Sequence, residues 1–88
     1  MAEALEKLRK EIRDVDDRIL MLVKQRFELV EEIGEIKKKN GLPIVDSNIE
    51  KGVIERALIW GGDLGLDSNF VLKLMNLLIA EAVRIQEK

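Results

Sequence analysis

The side chains that could carry out chemistry in this 88-residue sequence belong to few types. The chain has no histidine, cysteine or tyrosine, and its only hydroxyl side chains are Ser47 and Ser68. Catalytic triads, histidine general bases and zinc sites are therefore excluded or implausible. Arginine, lysine, aspartate, glutamate, glutamine and asparagine remain. These residue types hold and polarise a charged ligand well, but they are poor nucleophiles.

Arg26 is the polar residue with the most informative position. It lies between Leu22 and Leu29 in a row of apolar residues that are spaced alternately three and four apart. A guanidinium in such a row is costly unless it meets an anion. Two interpretations remain: Arg26 binds an anionic ligand, or it has a structural role as a buried ion pair or as a residue that fixes the register of an oligomer.

Lys37 follows Arg26 by eleven residues. In a helix, this spacing places it about 20° round and about 16 Å along the axis, so both side chains point the same way. Two long side chains leaning toward each other could hold a ligand the size of a substituted six-membered ring. Taken alone, Lys37 is better explained as a last-turn lysine that complements the helix dipole, and it gains weight only beside Arg26.

Four further residues are candidates. Gln86 follows the inner stripe of the last helix and could donate an amide N–H to a ligand or satisfy a backbone group. Arg9 lies off the apolar row, but antiparallel pairing of two long helices would bring it near a partner's site. Glu50 fits a capping box, and Asp46 just before that cap would favour a helix N-terminus.

Three predicted helices (long, short and medium) position these residues in a single all-α domain over residues 1–88. The first helix is predicted from about Glu3 to Lys39, because its apolar residues form a heptad-like seam. The seam consists of Leu5, Leu8, Ile12, Val15, Ile19, Leu22, Leu29, Ile33 and Ile36, and it is widened by Val23 and Val30.

Turn and capping signals predict the remaining boundaries. Asn40-Gly41-Leu42-Pro43 should end the first helix. The second should begin at a capping box with Ser47 as N-cap, run to about Trp60 and close at Gly61-Gly62. Asp67-Ser68-Asn69 should open the third helix, whose apolar stripe runs nearly to the end of the sequence.

The first helix is longer than a compact domain of this size. It would span about 55 Å, whereas a compact chain of this length has a diameter of about 30 Å. The 49 residues after Lys39 cannot cover the whole seam. Self-association along this helix is therefore expected, and a two-fold homodimer is the commonest form.

Charge and composition restrict the partners and the location. The formal net charge of −2 argues against nucleic acid as the main partner, because phosphate binding relies on a basic face. The N-terminus lacks the apolar segment of a signal peptide, and no apolar run approaches the ~20 residues of a membrane span. We therefore expect a cytoplasmic protein without a membrane partner.

An ordered set of short motifs runs through the sequence. It consists of Leu8-Arg9-Lys10-Glu11-Ile12, Val15-Asp16, Gln25-Arg26, Ile33-Gly34-Glu35-Ile36-Lys37, Gly41-Leu42-Pro43-Ile44, Asp46, Glu50 and Gln86. Each motif is weak alone, but the set with its spacing resembles the all-helical chorismate mutases of the AroQ class over about residues 5 to 88. The resemblance implies a homodimer whose long first helices cross-associate, and an activity that needs no cofactor or metal.

The resemblance also assigns roles to the candidate residues. It implies that Arg26, with Arg9 supplied by the other subunit, holds the carboxylates of chorismate. Lys37 and Gln86 would donate hydrogen bonds to the ether oxygen. The implied reaction is the pericyclic rearrangement of chorismate to prephenate in phenylalanine and tyrosine biosynthesis, which requires no protein nucleophile.

By the same resemblance, Asp46 and Glu50 would lie near the ring hydroxyl. The sequence departs from the family pattern at Ile49, where many relatives carry an arginine, and Arg56 is the nearest candidate to replace that cation. It departs again at Ala82, where a small polar residue is common. The change at Ile49 could weaken ligand binding or shift the preferred substrate.

Two alternative functions remain. Isochorismate pyruvate-lyases share this fold and much of the cationic site, and they can lack the same arginine, although Glu50 and the early motifs favour the mutase. The other alternative is a non-catalytic helical dimerisation or regulatory module. In that case Arg26 would pair with a carboxylate of the protein, and its loss would change the oligomer but not ligand binding.

Overall fold

The computed structural model describes residues 1–88 as three α-helices joined by two short turns. Helix α1 spans Ala2–Lys39, α2 spans Ser47–Asp63 and α3 spans Ser68–Gln86. The predicted all-α class and the order of long, short and medium helices are confirmed. None of the three helices combines the length and the hydropathy that a membrane crossing requires.

The two helix-to-helix turns begin with the same backbone arrangement. After α1, Gly41 adopts a φ of +65° and the N–H of Leu42 donates to the carbonyl of Lys37 at 2.8 Å. After α2, Gly65 adopts a φ of +78° and the N–H of Leu66 donates to the carbonyl of Gly61 at 2.9 Å. Both turns are Schellman-type ends, in which glycine supplies the left-handed residue at little steric cost.

The predicted capping box at the start of α2 is wrong. The N-cap is Asp46, whose Oδ1 accepts from the backbone N–H groups of Asn48 at 3.1 Å and Ile49 at 3.2 Å. Ser47 is the first residue of the helix instead. A carboxylate is the stronger acceptor and is also favoured by the helix dipole, so it takes the cap in preference to the neighbouring hydroxyl. Glu50 is thereby left without a capping role.

The predicted end of α2 at Gly61-Gly62 is also wrong, because both glycines lie inside the helix. Gly61 is buried, and a Cβ at this position would lie 2.8 Å from Cγ2 of Val71. The glycine therefore allows α2 and α3 to approach closely, and Val71 is itself buried at the crossing. The signal that ends the helix is Gly65, three residues later than predicted.

Helix α3 packs against both other helices, but it reaches only the C-terminal half of α1. The molecule measures 59 × 25 × 15 Å, and its radius of gyration is 16.7 Å. A compact chain of this length would have a radius of gyration of about 12 Å. Residues 1–22 are all exposed, so the N-terminal half of α1 projects from the rest of the chain.

The side of α1 that faces the other helices is offset from the predicted seam. Its buried or half-buried residues are Val23, Arg26, Phe27, Val30, Gly34 and Lys37. All nine seam residues are exposed, at 47% to 63% of their full area. Val23 and Val30, which only widened the stripe in the sequence, therefore make the contacts within the chain, while the seam itself is left uncovered.

Candidate active site

Arg26 lies on the inner side of α1 and is half buried. Its Nη1 atom is buried and has no hydrogen-bond partner. The two ion pairs in the chain join Glu6 to Arg9 and Glu81 to Arg84, so neither involves Arg26. Within one chain no carboxylate lies within ion-pair distance of this guanidinium, as expected of a group that binds an external anion.

Lys37 lies in the last turn of α1, about three turns from Arg26. Its Nζ atom donates to the carbonyl oxygen of Ile44 at 2.7 Å, which ties the end of α1 to the segment before α2. A lysine ammonium has three N–H donors, so this bond leaves two of them for a ligand.

Gln86 is the last residue of α3, and its side chain crosses to α1. Its Nε2 atom donates to the backbone carbonyl oxygen of Val30 at 3.0 Å. The sequence left open whether this amide serves a backbone group or a ligand. Because an amide nitrogen carries two N–H groups, the bond to Val30 leaves the second one free, and both roles are compatible.

The two acidic candidates stand at the N-terminus of α2. Asp46 uses one carboxylate oxygen, Oδ1, for the cap described above, which leaves Oδ2 without a backbone partner. Glu50 is half buried and takes part in neither ion pair. Both carboxylates could therefore accept a hydrogen bond from a hydroxyl group of a ligand.

These five side chains line one cavity between the three helices. The cavity has a volume of about 180 Å³ and is open to solvent. Its cationic and amide donors come from α1 and α3, and its carboxylates come from the start of α2. The rest of its wall is apolar and consists of Val30, Ile33, Ile44, Ile49, Val53, Ile79, Ala82 and Val83. Such a cleft suits a small ligand that carries both anionic groups and a hydroxyl.

A wider groove of about 640 Å³ adjoins this cavity. Arg26, Ile49 and Val53 line both spaces. Arg56, the nearest candidate to replace a cation at position 49, lines the groove together with Asn48. Arg26 and Arg56 thus line the same groove, while Ile49 presents an apolar surface where the two spaces meet.

Arg9 is the one predicted site residue that the chain does not bring to the cavity. It lies in the exposed N-terminal half of α1, and its Nη1 atom is 3.5 Å from Oε1 of Glu6. It borders a surface depression with Glu6, Ile12 and Arg13. The role of Arg9 in a partner's site remains a prediction.

Sequence reasoning missed three contributors to this site. The carbonyl groups of Val30 and Ile44 fix the ends of Gln86 and Lys37, and Asn48 lines the adjoining groove. A backbone carbonyl has no residue type of its own, so no sequence signal could have identified the first two. Gly34, in contrast, lies within a 38-residue helix, where a glycine is unfavourable and invites a structural explanation.

Comparisons with known proteins show which family the chain is similar to. The family model for chorismate mutase type II matches residues 8–87. A chorismate mutase from Methanocaldococcus jannaschii is 32% identical over 88 residues, which covers 100% of this chain and 89% of the relative. A 4-amino-4-deoxychorismate mutase from Streptomyces venezuelae is 30% identical over 83 residues, which covers 94% of this chain and 81% of the relative.

Longer relatives match over the same region. A bifunctional chorismate mutase/prephenate dehydratase from Buchnera aphidicola subsp. Schizaphis graminum is 38% identical over 80 residues, 91% of this chain. The chain spans only 21% of the length of that bifunctional protein. The resemblance found in the sequence motifs is thus confirmed by a match that covers nearly the whole chain. This protein belongs to the chorismate mutase type II family.

Proposed function

We propose that this chain catalyses the rearrangement of chorismate to prephenate in the cavity between its three helices. The observation that supports this most directly is that Arg26, whose Nη1 atom is buried without a hydrogen-bond partner, is one of the residues that line the cavity. A buried donor that lacks a partner is unfavourable. A carboxylate of chorismate, which is a dianion, would pair with the guanidinium of Arg26.

The reaction makes modest chemical demands on the protein. One C–O bond of the enolpyruvyl ether breaks while one C–C bond to the ring forms, and no proton is gained or lost. The protein must hold the enolpyruvyl group over the ring in a reactive conformer. It must also stabilise the negative charge that develops on the ether oxygen, and fixed hydrogen-bond donors do this. A site without a nucleophile can meet both demands.

The lining residues divide these tasks among them. Arg26 anchors a carboxylate and so sets the position of the substrate. Lys37 and Gln86 each keep at least one free N–H and donate to the ether oxygen. Asp46 and Glu50, at the start of α2, accept from the ring hydroxyl. Lys37, Gln86 and Asp46 are held in place before the substrate binds, because each already forms a hydrogen bond to backbone atoms.

The same proposal includes a homodimer in which the N-terminal half of α1 packs on a partner. The nine seam residues are each at least 47% exposed, and residues 1–22 make no buried contact within the chain. Covering the remaining exposed area of such a side chain is worth about 1 kcal/mol, roughly half of the value for full burial. Nine of them therefore supply a strong driving force for association.

Pairing of the long helices would also complete the site. In an antiparallel arrangement, the projecting half of one α1 lies along the C-terminal half of the other, where Arg26 and Lys37 stand. Arg9 of the partner subunit would then approach the cavity and provide a second guanidinium for the dicarboxylate. A chain without an arginine at position 49 has greater need of this contribution.

The test is an assay of the purified protein with three substrates: chorismate, isochorismate and 4-amino-4-deoxychorismate. Loss of chorismate and formation of prephenate are followed separately, and pyruvate release is measured with isochorismate. We expect prephenate from chorismate as the main reaction. Pyruvate from isochorismate without any prephenate would instead identify a lyase, and preferential turnover of the amino substrate would assign the cavity to that compound.

A third outcome concerns the non-catalytic alternative. A protein that forms a dimer but neither binds nor converts any of the three compounds would be a dimerisation or regulatory module. Equilibrium binding of prephenate, measured by calorimetry, distinguishes this outcome from an enzyme that binds ligands but turns over slowly. We expect binding that is lost in Arg26→Met.

A further inference from the structure

Gly34 and Gln86 are in closer contact than any side chain at position 34 would permit. A Cβ built on Gly34 would lie 2.9 Å from Cγ of Gln86, 3.5 Å from its Cβ and 3.6 Å from its Cδ. The aliphatic part of Gln86 therefore lies flat across the backbone of α1. Beyond this crossing, its Nε2 atom reaches the carbonyl oxygen of Val30, one helical turn away.

The carbonyl of Val30 also determines the orientation of the Gln86 side-chain amide. A carbonyl oxygen can only accept hydrogen bonds, so it holds the NH₂ end of Gln86 and rejects the amide oxygen. An amide free to turn over would present an acceptor to the cavity for part of the time. Held by Val30, the amide of Gln86 keeps one orientation, and Gln86 is one of the residues that line the cavity.

We infer that Gly34 is a positioning residue for Gln86, because its missing Cβ lets the glutamine cross α1 and dock on Val30 with an N–H directed to the ligand. This inference rests on the proposed function insofar as Gln86 donates to the ether oxygen. It explains why a glycine occupies an internal position near the C-terminal end of a long helix, where alanine would favour helix formation.

The substitution Gly34→Ala tests this directly, and the chain offers a matched control. Gly62 also lies inside a helix, but a Cβ there would meet nothing within 4 Å, and Gly62 does not line the cavity. Gly62→Ala should raise the unfolding midpoint and leave kcat and KM unchanged. Gly34→Ala should lower kcat by about tenfold or more with a smaller change in KM, because a displaced donor fails mainly in the transition state.

A double-mutant cycle separates positioning of Gln86 from general damage. In a Gln86→Ala background there is no glutamine left to position, so adding Gly34→Ala should cause little further loss of kcat. If the two losses multiply instead, Gly34 acts by another route and the inference is wrong. If Gln86→Ala alone keeps the full kcat, the assignment of Gln86 under the proposed function has failed.

A measurement on the unsubstituted protein keeps the inference testable even if Gly34→Ala does not fold. The chain has two glutamines, Gln25 and Gln86, so the side-chain amide signals in an NMR spectrum can be assigned with one Gln86→Ala sample. We expect strong NOEs between the Hα atoms of Gly34 and the Hγ atoms of Gln86. One amide proton of Gln86 should carry a hydrogen-bonded shift, and the other should move when prephenate is added. If the amide protons of Gln86 resemble those of the exposed Gln25 and these NOEs are absent, the docking of Gln86 is refuted independently of any activity.

Discussion

Replacement of Arg26 by methionine should lower activity without lowering stability. Methionine keeps an unbranched chain of similar reach but removes the guanidinium. The surroundings suit an apolar side chain, since Val30, Val53 and Met75 line the spaces that Arg26 borders. The buried Nη1 atom, which has no partner in the chain, would no longer need one.

The size of each effect follows from this geometry. A buried polar donor without a partner costs about 1–3 kcal/mol, and more when it is charged. Its removal should therefore leave the free energy of unfolding unchanged or raise it by about 1 kcal/mol. A guanidinium that grips a carboxylate with two charge-assisted bonds contributes about 3–6 kcal/mol at about 1.5–3 kcal/mol each. Losing them should lower kcat/KM by about 10²–10⁴-fold.

The assay pairs two measurements on the same samples. Chorismate consumption gives kcat/KM, and urea unfolding at one fixed protein concentration gives stability, because the unfolding of an associating protein depends on concentration. Arg26→Lys is the matched control. It keeps the positive charge but loses the planar fork, so its activity should fall between those of the other two proteins.

A stable, fully active Arg26→Met protein would refute the assignment of Arg26 to the ligand. A variant that loses several kcal/mol of stability or dissociates would refute it in a different way. Such a result would mean that Arg26 meets a carboxylate of the partner subunit and acts in assembly, because removal of one member of a buried ion pair is strongly destabilising.

Three further predictions concern the seam, the α2 cap and one surface ion pair. Ile12→Glu places a charge in the exposed seam and should give a monomer in sedimentation experiments, whereas Lys10→Glu on the opposite side of α1 should leave the dimer intact. If the two variants sediment alike, the seam is not the interface. Asp46→Ala and Asp67→Ala each remove a helix cap, and each should lower the free energy of unfolding in urea by about 1 kcal/mol. Only Asp46→Ala should also lower kcat/KM, because Asp46 lines the cavity and Asp67 does not. The two hydrogen bonds from Arg84, at 2.6 Å each, lower the pKa of Glu81, so the pair stabilises the fold at neutral pH and this contribution is lost as the pH falls through the lowered pKa. Glu81→Gln should thus be slightly destabilised at neutral pH and match the parent protein in acid; a constant difference across the pH range would contradict this.

The helices could be predicted from the sequence because their signals are redundant. The apolar spacing over α1 repeats many times, so its bounds of Ala2–Lys39 lie within one residue of the prediction. The cap of α2 rested on a single choice between the adjacent residues Asp46 and Ser47. Both can accept from the first N–H groups of a helix, and spacing does not reveal which one adopts the extended backbone of an N-cap. Glycines are equally ambiguous, since Gly61 marks a close helix crossing and Gly65 marks a helix end.

The candidate site was predictable for a different reason. Arg26 stood out because a cation in an apolar row needs an explanation. In the structure, its Nη1 atom has no hydrogen-bond partner within the chain. Lys37, Asp46, Glu50 and Gln86 gained weight only as an ordered set, and all four line the same cavity. What the sequence could not provide is how they are held. The carbonyls of Val30 and Ile44 depend on the path of the backbone, not on the residue types.

Pairing with a second chain would supply both what the single chain lacks in its fold and what the proposed reaction needs in its site. The cavity is open to solvent, and fixed donors stabilise developing charge much better when water is excluded. The seam on the projecting half of α1 is exposed. In a single chain, a dianionic ligand in the cavity would meet the cations of that chain alone. Packing that half against the cavity of a partner would bury the seam, cover the open side and deliver Arg9. Association would therefore complete the fold and the active site together, and activity should be lost at dilutions where the dimer dissociates.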